Sequence, residues 1–296
     1  MSTALTGQGI IVAVDASPSS KVATDWAARE AGQRHVPLTL VHVAPEPETD
    51  MWPDPGFLGG FWDWRVKHGH QILADARCVA DNAISGFDPI VVEQKSYVGA
   101  AIPTLVDLSK DAAMIVVGRR GLGVVKRRLL GSVSSGLVHH AHCPVAVIHD
   151  EDPLMDQPAE APVVVGVDGS PASELATAIA FDEASWRRVG LIAMHSWASD
   201  EVYTWAGLDW ATQCENGERA LAEQLAGWQE RYPDVPVERQ LVFGDPAEHL
   251  IGASESAQLT VVGSHGRGGF AGMLLGSVSS AVVQAARMPV IVARQD

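Results

Sequence analysis

One run of seven residues occurs twice in this 296-residue chain. Residues 129–135 and 274–280 share the sequence Leu-Leu-Gly-Ser-Val-Ser-Ser. A second match is Val-Ala-Val-Asp-Ala-Ser-Pro around Asp15, which corresponds to Val-Gly-Val-Asp-Gly-Ser-Pro around Asp168. Because both matches occur in the same order along the chain, they indicate a tandem duplication of one structural unit. The chain must therefore fold as two copies of one unit.

The duplication predicts two domains, at residues 1–150 and 163–296. Residues 151–162 form the predicted linker, because this segment is acidic and proline-rich with little apolar periodicity. Each copy is long enough to bury a core of its own.

Within each copy, short runs of Val and Ile alternate with longer segments of helical period. This alternation predicts an α/β fold in which an open five-stranded parallel sheet carries helices on both faces. The predicted strands are 9–15, 38–43, 90–95, 114–118 and 145–149 in the first copy, and 163–168, 191–196, 237–243, 259–263 and 290–293 in the second.

The composition excludes several classes of protein. Hydrophobic residues make up 47% and charged residues 19%, as in globular proteins. Lys and Arg number 21 against 36 Asp and Glu, so a net charge of −15 disfavours nucleic acid and anionic membranes as partners. No apolar run has the length of a membrane helix. The odd count of three widely spaced cysteines favours reduced thiols and a cytoplasmic location.

A glycine-rich segment follows the fourth predicted strand of each copy, with the same spacing in both. The pattern is Gly, two residues, Gly, nine residues, then Gly-Ser, formed by Gly118, Gly121, Gly131 and Ser132 and by Gly263, Gly266, Gly276 and Ser277. Glycines allow close backbone approach and positive φ, and a Gly-Ser helix start offers amides to an anion. The segment therefore predicts a phosphate loop in each copy.

Two common nucleotide motifs are absent from the sequence. No Gly-Lys-Ser or Gly-Lys-Thr follows the glycines, so this is not a Walker loop. The first strand is followed by Asp15 and Asp168 instead of a Rossmann glycine fingerprint. At the carboxyl edge of a parallel sheet, these aspartates would face the phosphate loop and accept hydrogen bonds from a ribose or base. Helix N-capping by Asp15 and Asp168 is the open alternative.

On these motifs, each half resembles the universal stress protein domain, and the chain resembles the tandem, ATP-binding type found in mycobacteria. The resemblance covers nearly the whole chain and implies an adenine nucleotide alpha hydrolase-like fold. It implies one ATP in each domain, with any Mg²⁺ bound through the nucleotide phosphates. The implied nucleotide-binding residues of the first domain are Asp15, Val43, Gly118, Gly121, Gly131, Ser132, Val133 and Ser134, with Arg128 nearby. Those of the second are Asp168, Ser196, Gly263, Gly266, Gly276, Ser277, Val278 and Ser279.

The two copies differ around these motifs. Ser196 stands where the first copy has Val43, which weakens an apolar contact to the base. Five cations surround the first predicted loop, whereas the second has two: Arg119, Arg120, Lys126, Arg127 and Arg128 against His265 and Arg267. We expect a steeper salt dependence of triphosphate binding at the first site, unless these cations only form a solvated loop.

Three functions are compatible with the sequence. A nucleotide-dependent regulator of stress response or growth is preferred, because neither copy supplies an obvious general base or a nucleophile beside a histidine. A slow ATPase and an interaction scaffold with vestigial sites are the alternatives. The resemblance implies association through the fifth strands, within the chain or in a homodimer, and an unidentified protein partner. The cluster of His139, His140, His142 and Cys143 is not repeated, which argues against a metal site.

Overall fold

The chain consists of two compact units that divide between Asp150 and Glu151. A computed structural model describes residues 9–46, 55–121, 130–150, 157–197, 210–267 and 274–294, with only the backbone at 55–63, 197 and 210–213. Among these residues, none of the helices combines the length and apolar character needed to cross a membrane.

The first unit alternates strands and helices and forms one parallel sheet. Its strand order is β3-β2-β1-β4-β5. The elements are β1 (Ile10–Ala13), α1 (Pro18–Arg34), β2 (Leu38–Ala44), α2 (Pro55–Ala83), β3 (Val92–Val98), α3 (Ala101–Leu108), β4 (Met114–Gly118), α4 (Ser132–His140) and β5 (Val145–Ile148).

The second unit repeats this scheme, with strand order β10-β9-β6-β7-β8 and parallel pairing throughout. Its elements are β6 (Val163–Gly166), α5 (Pro171–Arg187), β7 (Leu191–Trp197), α6 (Trp210–Arg231), β8 (Val237–Phe243), α7 (Pro246–Ser254), β9 (Leu259–Gly263), α8 (Ser277–Ala285) and β10 (Val290–Ala293). The predicted α/β class, with helices flanking a parallel sheet in each unit, is confirmed.

Most predicted strand bounds agree with the structure to within two residues, and two disagreements have clear causes. The strand predicted from residue 9 starts at Ile10, because Gly9 has φ of +129° and leaves the extended conformation. The strand predicted at 90–95 lies at Val92–Val98. Most of its side chains are exposed, so hydrophobicity did not mark its limits.

A serine caps the first helix of each unit, and a proline is the first residue of that helix. Ser17 Oγ accepts a hydrogen bond from Ser20 N at 3.1 Å, and Ser170 Oγ accepts one from Ser173 N at 3.2 Å. Pro18 and Pro171 occupy the first helical turn, where the missing N–H costs no intrahelical bond. The sequence around each aspartate thus specifies a strand, a sharp turn and a helix.

The sheets are covered by two pairs of helices. Helix α1 contacts α2, and α3 contacts α4. Right-handed crossovers place α1 and α2 on one face of the first sheet, and α3 and α4 on the other, because the winding direction reverses after β3. In the second unit, Phe181 of α5 packs on Trp228 of α6 with ring centroids 6.2 Å apart, and α7 contacts α8.

The buried strands form the cores of the two sheets. The side chains of β4 from Met114 to Val117 and those of β10 from Val290 to Ala293 are at most 3% exposed. Burial of each large aliphatic side chain contributes about 1.5–3 kcal/mol of transfer free energy. The winding reverses between β1 and β4, and between β6 and β9, so a crevice forms at the carboxyl ends of these strands.

The second helix differs in length between the two units. Helix α2 begins at Pro55 and has 29 residues, whereas α6 has 22. Trp64 on α2 is 58% exposed and stacks on His68, one helical turn later, at 5.1 Å between ring centroids. Trp52 lies outside the described residues.

Candidate functional site

A cavity lies at the crevice of each sheet, with a volume of about 490 Å³ in the first unit and 520 Å³ in the second. Both volumes lie in the range of small-molecule sites. The structure brings eight predicted residues into the first cavity: Asp15, Val43, Gly118, Gly121, Gly131, Ser132, Val133 and Ser134. It brings the matching eight into the second: Asp168, Ser196, Gly263, Gly266, Gly276, Ser277, Val278 and Ser279. Arg128 lies outside the described residues.

The strand-end aspartates hold the turn that follows the first strand of each unit. Asp15 Oδ1 accepts a hydrogen bond from Ser17 N at 3.0 Å, and Asp168 Oδ1 accepts one from Ser170 N at 2.9 Å. Asp168 Oδ2 also accepts from Arg267 N at 3.1 Å. The open alternative of N-capping by aspartate is wrong, because Ser17 and Ser170 cap the helices.

The first glycine of each motif is required by packing against the first helix. A Cβ on Gly118 would lie 2.7 Å from the carbonyl carbon of Ser19, and one on Gly263 would lie 2.8 Å from that of Ala172. Both contacts involve backbone atoms, which cannot move away at low cost. These glycines therefore allow the end of β4 or β9 to approach the first turn of α1 or α5.

The second glycine of each motif lies against the aspartate. A Cβ on Gly121 would be 2.6 Å from Asp15 Oδ2, and one on Gly266 would be 2.6 Å from Asp168 Oδ2. Positive φ, which the sequence suggested as a second reason for these glycines, is not adopted by any of the six motif glycines. Their common requirement is close approach.

The third glycine starts a helix that points at the cavity. Gly131 has φ of −64° and ψ of 155° as N-cap of α4, and Gly276 has −69° and 153° as N-cap of α8. In neither helix does a side chain of the described residues cap the first turn. The amides there are available to an anion, which the helix dipole attracts.

The serines of the repeated Gly-Ser-Val-Ser segment have two different environments. Ser134 Oγ donates a hydrogen bond to Gly118 O at 2.7 Å, and Ser279 Oγ donates one to Gly263 O. These buried hydroxyls hold the helix start against the end of the strand. Ser132 and Ser277 are exposed at the cavity, so they are the hydroxyls presented to a ligand.

One part of the wall of each cavity is apolar, and sequence reasoning mostly missed it. In the first cavity it includes Val41, Ala101 and Leu105, and in the second Met194, Pro246 and Leu250. The missed residues of α3 and α7 lie in the first two turns of these helices, which follow the third strand of each unit. A signal for them was available, because these helices begin at the same carboxyl edge as the glycine loop.

A histidine next to the second strand's end links neighbouring strands in each unit. His42 Nδ1 donates to Val14 O at 2.8 Å, and His195 Nδ1 donates to Val167 O at 2.6 Å. Because a carbonyl oxygen only accepts, Nδ1 of each ring carries a proton. His195 lines the second cavity.

The cations expected around the first loop differ in their exposure and in whether they line the cavity. Arg119 is only 3% exposed and does not line the cavity. Arg120 lines it, but its Nη2 pairs with Asp150 Oδ1 at 2.7 Å. Lys126 and Arg127, like Arg128, lie outside the described residues. In the second unit, His265 and Arg267 both line the cavity.

The histidine and cysteine cluster of the first unit has ordinary hydrogen bonds. His139 Nδ1 bonds Ser135 O at 2.6 Å, as a side chain near a helix C-terminus commonly does. Burial raises the pKa of the Cys143 thiol to about 12, so it is held protonated. Within the described residues, no three His, Cys, Asp or Glu side chains are grouped to hold a metal ion.

Comparison with known proteins assigns the class. The model of the Universal stress protein family matches this chain twice, over residues 8–149 and 161–294. The chain therefore belongs to the universal stress protein family, with two tandem copies of its domain.

Full-length relatives and solved structures agree with this assignment. The chain is 54% identical over 295 residues to universal stress protein Rv2623 of Mycobacterium tuberculosis H37Rv, covering 100% of this chain and 99% of that protein. It is 51% identical over 287 residues to universal stress protein Rv2005c of the same organism, covering 97% of each. The crystal structure of a universal stress protein from Archaeoglobus fulgidus has a TM-score of 0.72 at 20% identity and covers 99% of this chain and 98% of that chain. That likeness supports the fold.

Proposed function

We propose that each domain binds one adenine nucleotide, with ATP as the ligand, and that the protein is a nucleotide-dependent regulator of stress response or growth. One observation carries the proposal: each cavity has both an apolar wall and a helix N-terminus that no side chain of the described residues caps. The amides of that helix turn suit phosphate, and the apolar wall suits a purine ring.

The residues fit a nucleotide at both ends. At the phosphate end, Gly131 and Gly276 leave the helix start open, and Ser132 and Ser277 add exposed hydroxyls. Any Mg²⁺ would be bound through the phosphates, with these hydroxyls as the nearest protein ligands. At the other end, methyl groups such as those of Leu105 provide an apolar contact for the base.

A regulatory role is preferred to catalysis because the aspartates and His195 of the cavities form hydrogen bonds with the protein backbone. Asp15 and Asp168 accept hydrogen bonds from the backbone of the turn that follows each of them. The Nδ1 of His195 is bound to Val167 O. His265, which lines the second cavity, bonds the hydroxyl of Ser264 at 3.1 Å. Ser264 is only 6% exposed and does not line the cavity, so this pair is not presented to a ligand and we expect ATP to persist when bound.

The test is to place a negative charge at each helix start. Ser132→Asp and Ser277→Asp put a carboxylate at the first helical position, which repels phosphate and favours the helix dipole. For the full chain, calorimetric titration with ATP is expected to give two sites, one site in either variant, and none in the double variant. Unchanged thermal stability without nucleotide would show that folding is intact.

The matched controls are Ser132→Asn and Ser277→Asn, which have almost the same size and no charge. We expect both to keep two ATP sites. Two ATP sites in the double aspartate variant would overturn the proposed placement of phosphate. Steady release of phosphate from ATP by the purified chain would replace the regulator with an ATPase.

Association through the fifth strands stays a prediction. Sedimentation velocity of the full chain distinguishes a monomer from a homodimer.

A further inference from the structure

Two side-chain donors converge above the turn that follows β6. Gly169 in this turn has φ of +76°. A Cβ on Gly169 would lie 2.9 Å from Arg267 Nη2 and 3.0 Å from Gln224 Nε2. The guanidinium and the carboxamide therefore approach the same point, from the glycine loop and from α6, and the missing side chain of Gly169 leaves that point open.

Within the described residues, neither donor group forms a hydrogen bond or an ion pair. The backbone amide of Arg267 is fixed by its bond to Asp168 Oδ2, whereas its guanidinium has no hydrogen bond or ion pair to that part of the chain. The same holds for the carboxamide of Gln224. Arg267 also lines the second cavity. A fixed backbone with an unused charged side chain is the arrangement expected for a residue that binds an anion from outside.

The first domain replaces all three residues by apolar ones. Ala16 occupies the Gly169 position in the same left-handed conformation, at φ of +66°. Leu122, outside the described residues, follows Gly121 as Arg267 follows Gly266. Val79 stands as far before β3 as Gln224 stands before β8. Arg120, which lines the first cavity, is paired with Asp150.

We propose that Arg267 and Gln224 form an anion subsite at Gly169 that binds the terminal phosphate of a nucleoside polyphosphate in the second domain. This inference rests on the proposed function. Its chemistry is specific: the planar guanidinium offers paired N–H donors to phosphate oxygens, and the carboxamide adds a neutral donor. The second domain then discriminates between ATP and AMP more strongly than the first, although the glycine motifs are the same.

The test uses full-length chains in which one site is closed. Ser132→Asp leaves the second site open, and Ser277→Asp leaves the first site open. Titration with AMP, ADP and ATP gives the ratio of AMP to ATP dissociation constants for each site. We expect this ratio to be about tenfold larger at the second site, the effect of one charge-assisted hydrogen-bonding group.

Substitutions toward the first domain are expected to remove that difference. In the Ser132→Asp background, Arg267→Leu should lower ATP affinity about tenfold and leave AMP affinity within about twofold. Arg267→Lys keeps the charge without the planar fork, so it should retain part of the ATP preference. Gly169→Ala should also reduce the ratio, because its methyl group occupies the place where the two donors converge.

The outcomes separate this inference from the proposed function. An equal loss of AMP and ATP affinity in Arg267→Leu would mean that Arg267 only supports the loop, and would overturn the subsite. Equal AMP to ATP ratios at the two sites would overturn it as well, with nucleotide binding in each domain intact. Failure of all three nucleotides to bind the unsubstituted chain would instead overturn the proposed function.

Discussion

The two cavities share a backbone and differ in the side chains around it. In both, the first motif glycine packs on a helix turn, the second lies against the aspartate, and a buried serine bonds the strand end. The surrounding side chains diverge: Val43 corresponds to Ser196, and Ala16 corresponds to Gly169. Ser196 Oγ donates to Gly244 O at 2.8 Å, so its hydroxyl is satisfied without a ligand.

This difference shows which physical constraint acts on which residue. Among the repeated residues, Gly118, Gly263, Ser134 and Ser279 contact backbone, so a change at these positions disturbs folding as well as binding.

Among the divergent residues, Val43 and Ser196 line the cavities, and Ala16 and Gly169 follow the strand-end aspartates. We expect substitutions at these positions to change what is bound while the fold is kept. The duplicated chain can therefore give its two domains different ligand preferences.

The largest expected effect tests whether packing constrains both copies equally. Gly118→Val and Gly263→Val should each lower the free energy of unfolding of their own domain by about 3 kcal/mol, because the new side chain overlaps helix backbone. Scanning calorimetry of each variant beside the unsubstituted chain measures this effect.

The control is Gly86→Val, since a Cβ on Gly86 meets no atom within 4 Å. It should change the stability of the first domain by less than about 0.5 kcal/mol. A loss in Gly118→Val no larger than in this control would remove the packing argument.

The next prediction is that the stability of the two domains depends differently on pH. The folded state holds the pKa of Cys143 at about 12, whereas an exposed thiol ionises near 9. Between these values the unfolded chain releases a proton that the folded chain retains, so raising the pH lowers stability. At pH 10 the first domain should lose about 1.4 kcal/mol relative to pH 8 from this group.

The second domain provides the comparison, because Met288 occupies the matching position and does not titrate. Denaturant unfolding of Cys143→Met and of Cys143→Ala at pH 8 and pH 10 measures the contribution. Both variants should lack this part of the pH dependence. An undiminished loss of stability in both would assign it to other groups.

The smallest expected effect is a change in the free energy of unfolding that has opposite signs in the two domains. Ala16 has φ of +66°, so Ala16→Gly should stabilise the first domain by about 0.5–1 kcal/mol through relief of strain. Gly169→Ala should destabilise the second domain by at least about 1 kcal/mol, since it introduces that strain and displaces Arg267 and Gln224. Thermal unfolding of each variant decides the signs, and equal signs would contradict the prediction.

Much of the fold could be predicted because its signals are local. The strand of residues 114–118 was predicted with its observed bounds, since a fully buried parallel strand is a continuous apolar run. The exposed strand Val92–Val98 was displaced in the prediction because few of its side chains are buried. The glycine spacing located the phosphate loops, and the family resemblance supplied the full set of site residues. Sixteen of those seventeen residues line the two cavities, and Arg128 lies outside the described residues.

The duplication, the α/β class and the backbone of each candidate site were predicted from the amino-acid sequence alone. Sequence identity, hydrophobic periodicity and glycine spacing can each be recognised within a short stretch of chain. Which groups remain available to a ligand was decided only in three dimensions. Folding buries Arg119, assigns the helix caps to Ser17 and Ser170, and brings Gln224 of α6 to Arg267 over Gly169. Such contacts join segments far apart in the chain, and they depend on how each helix crosses the sheet.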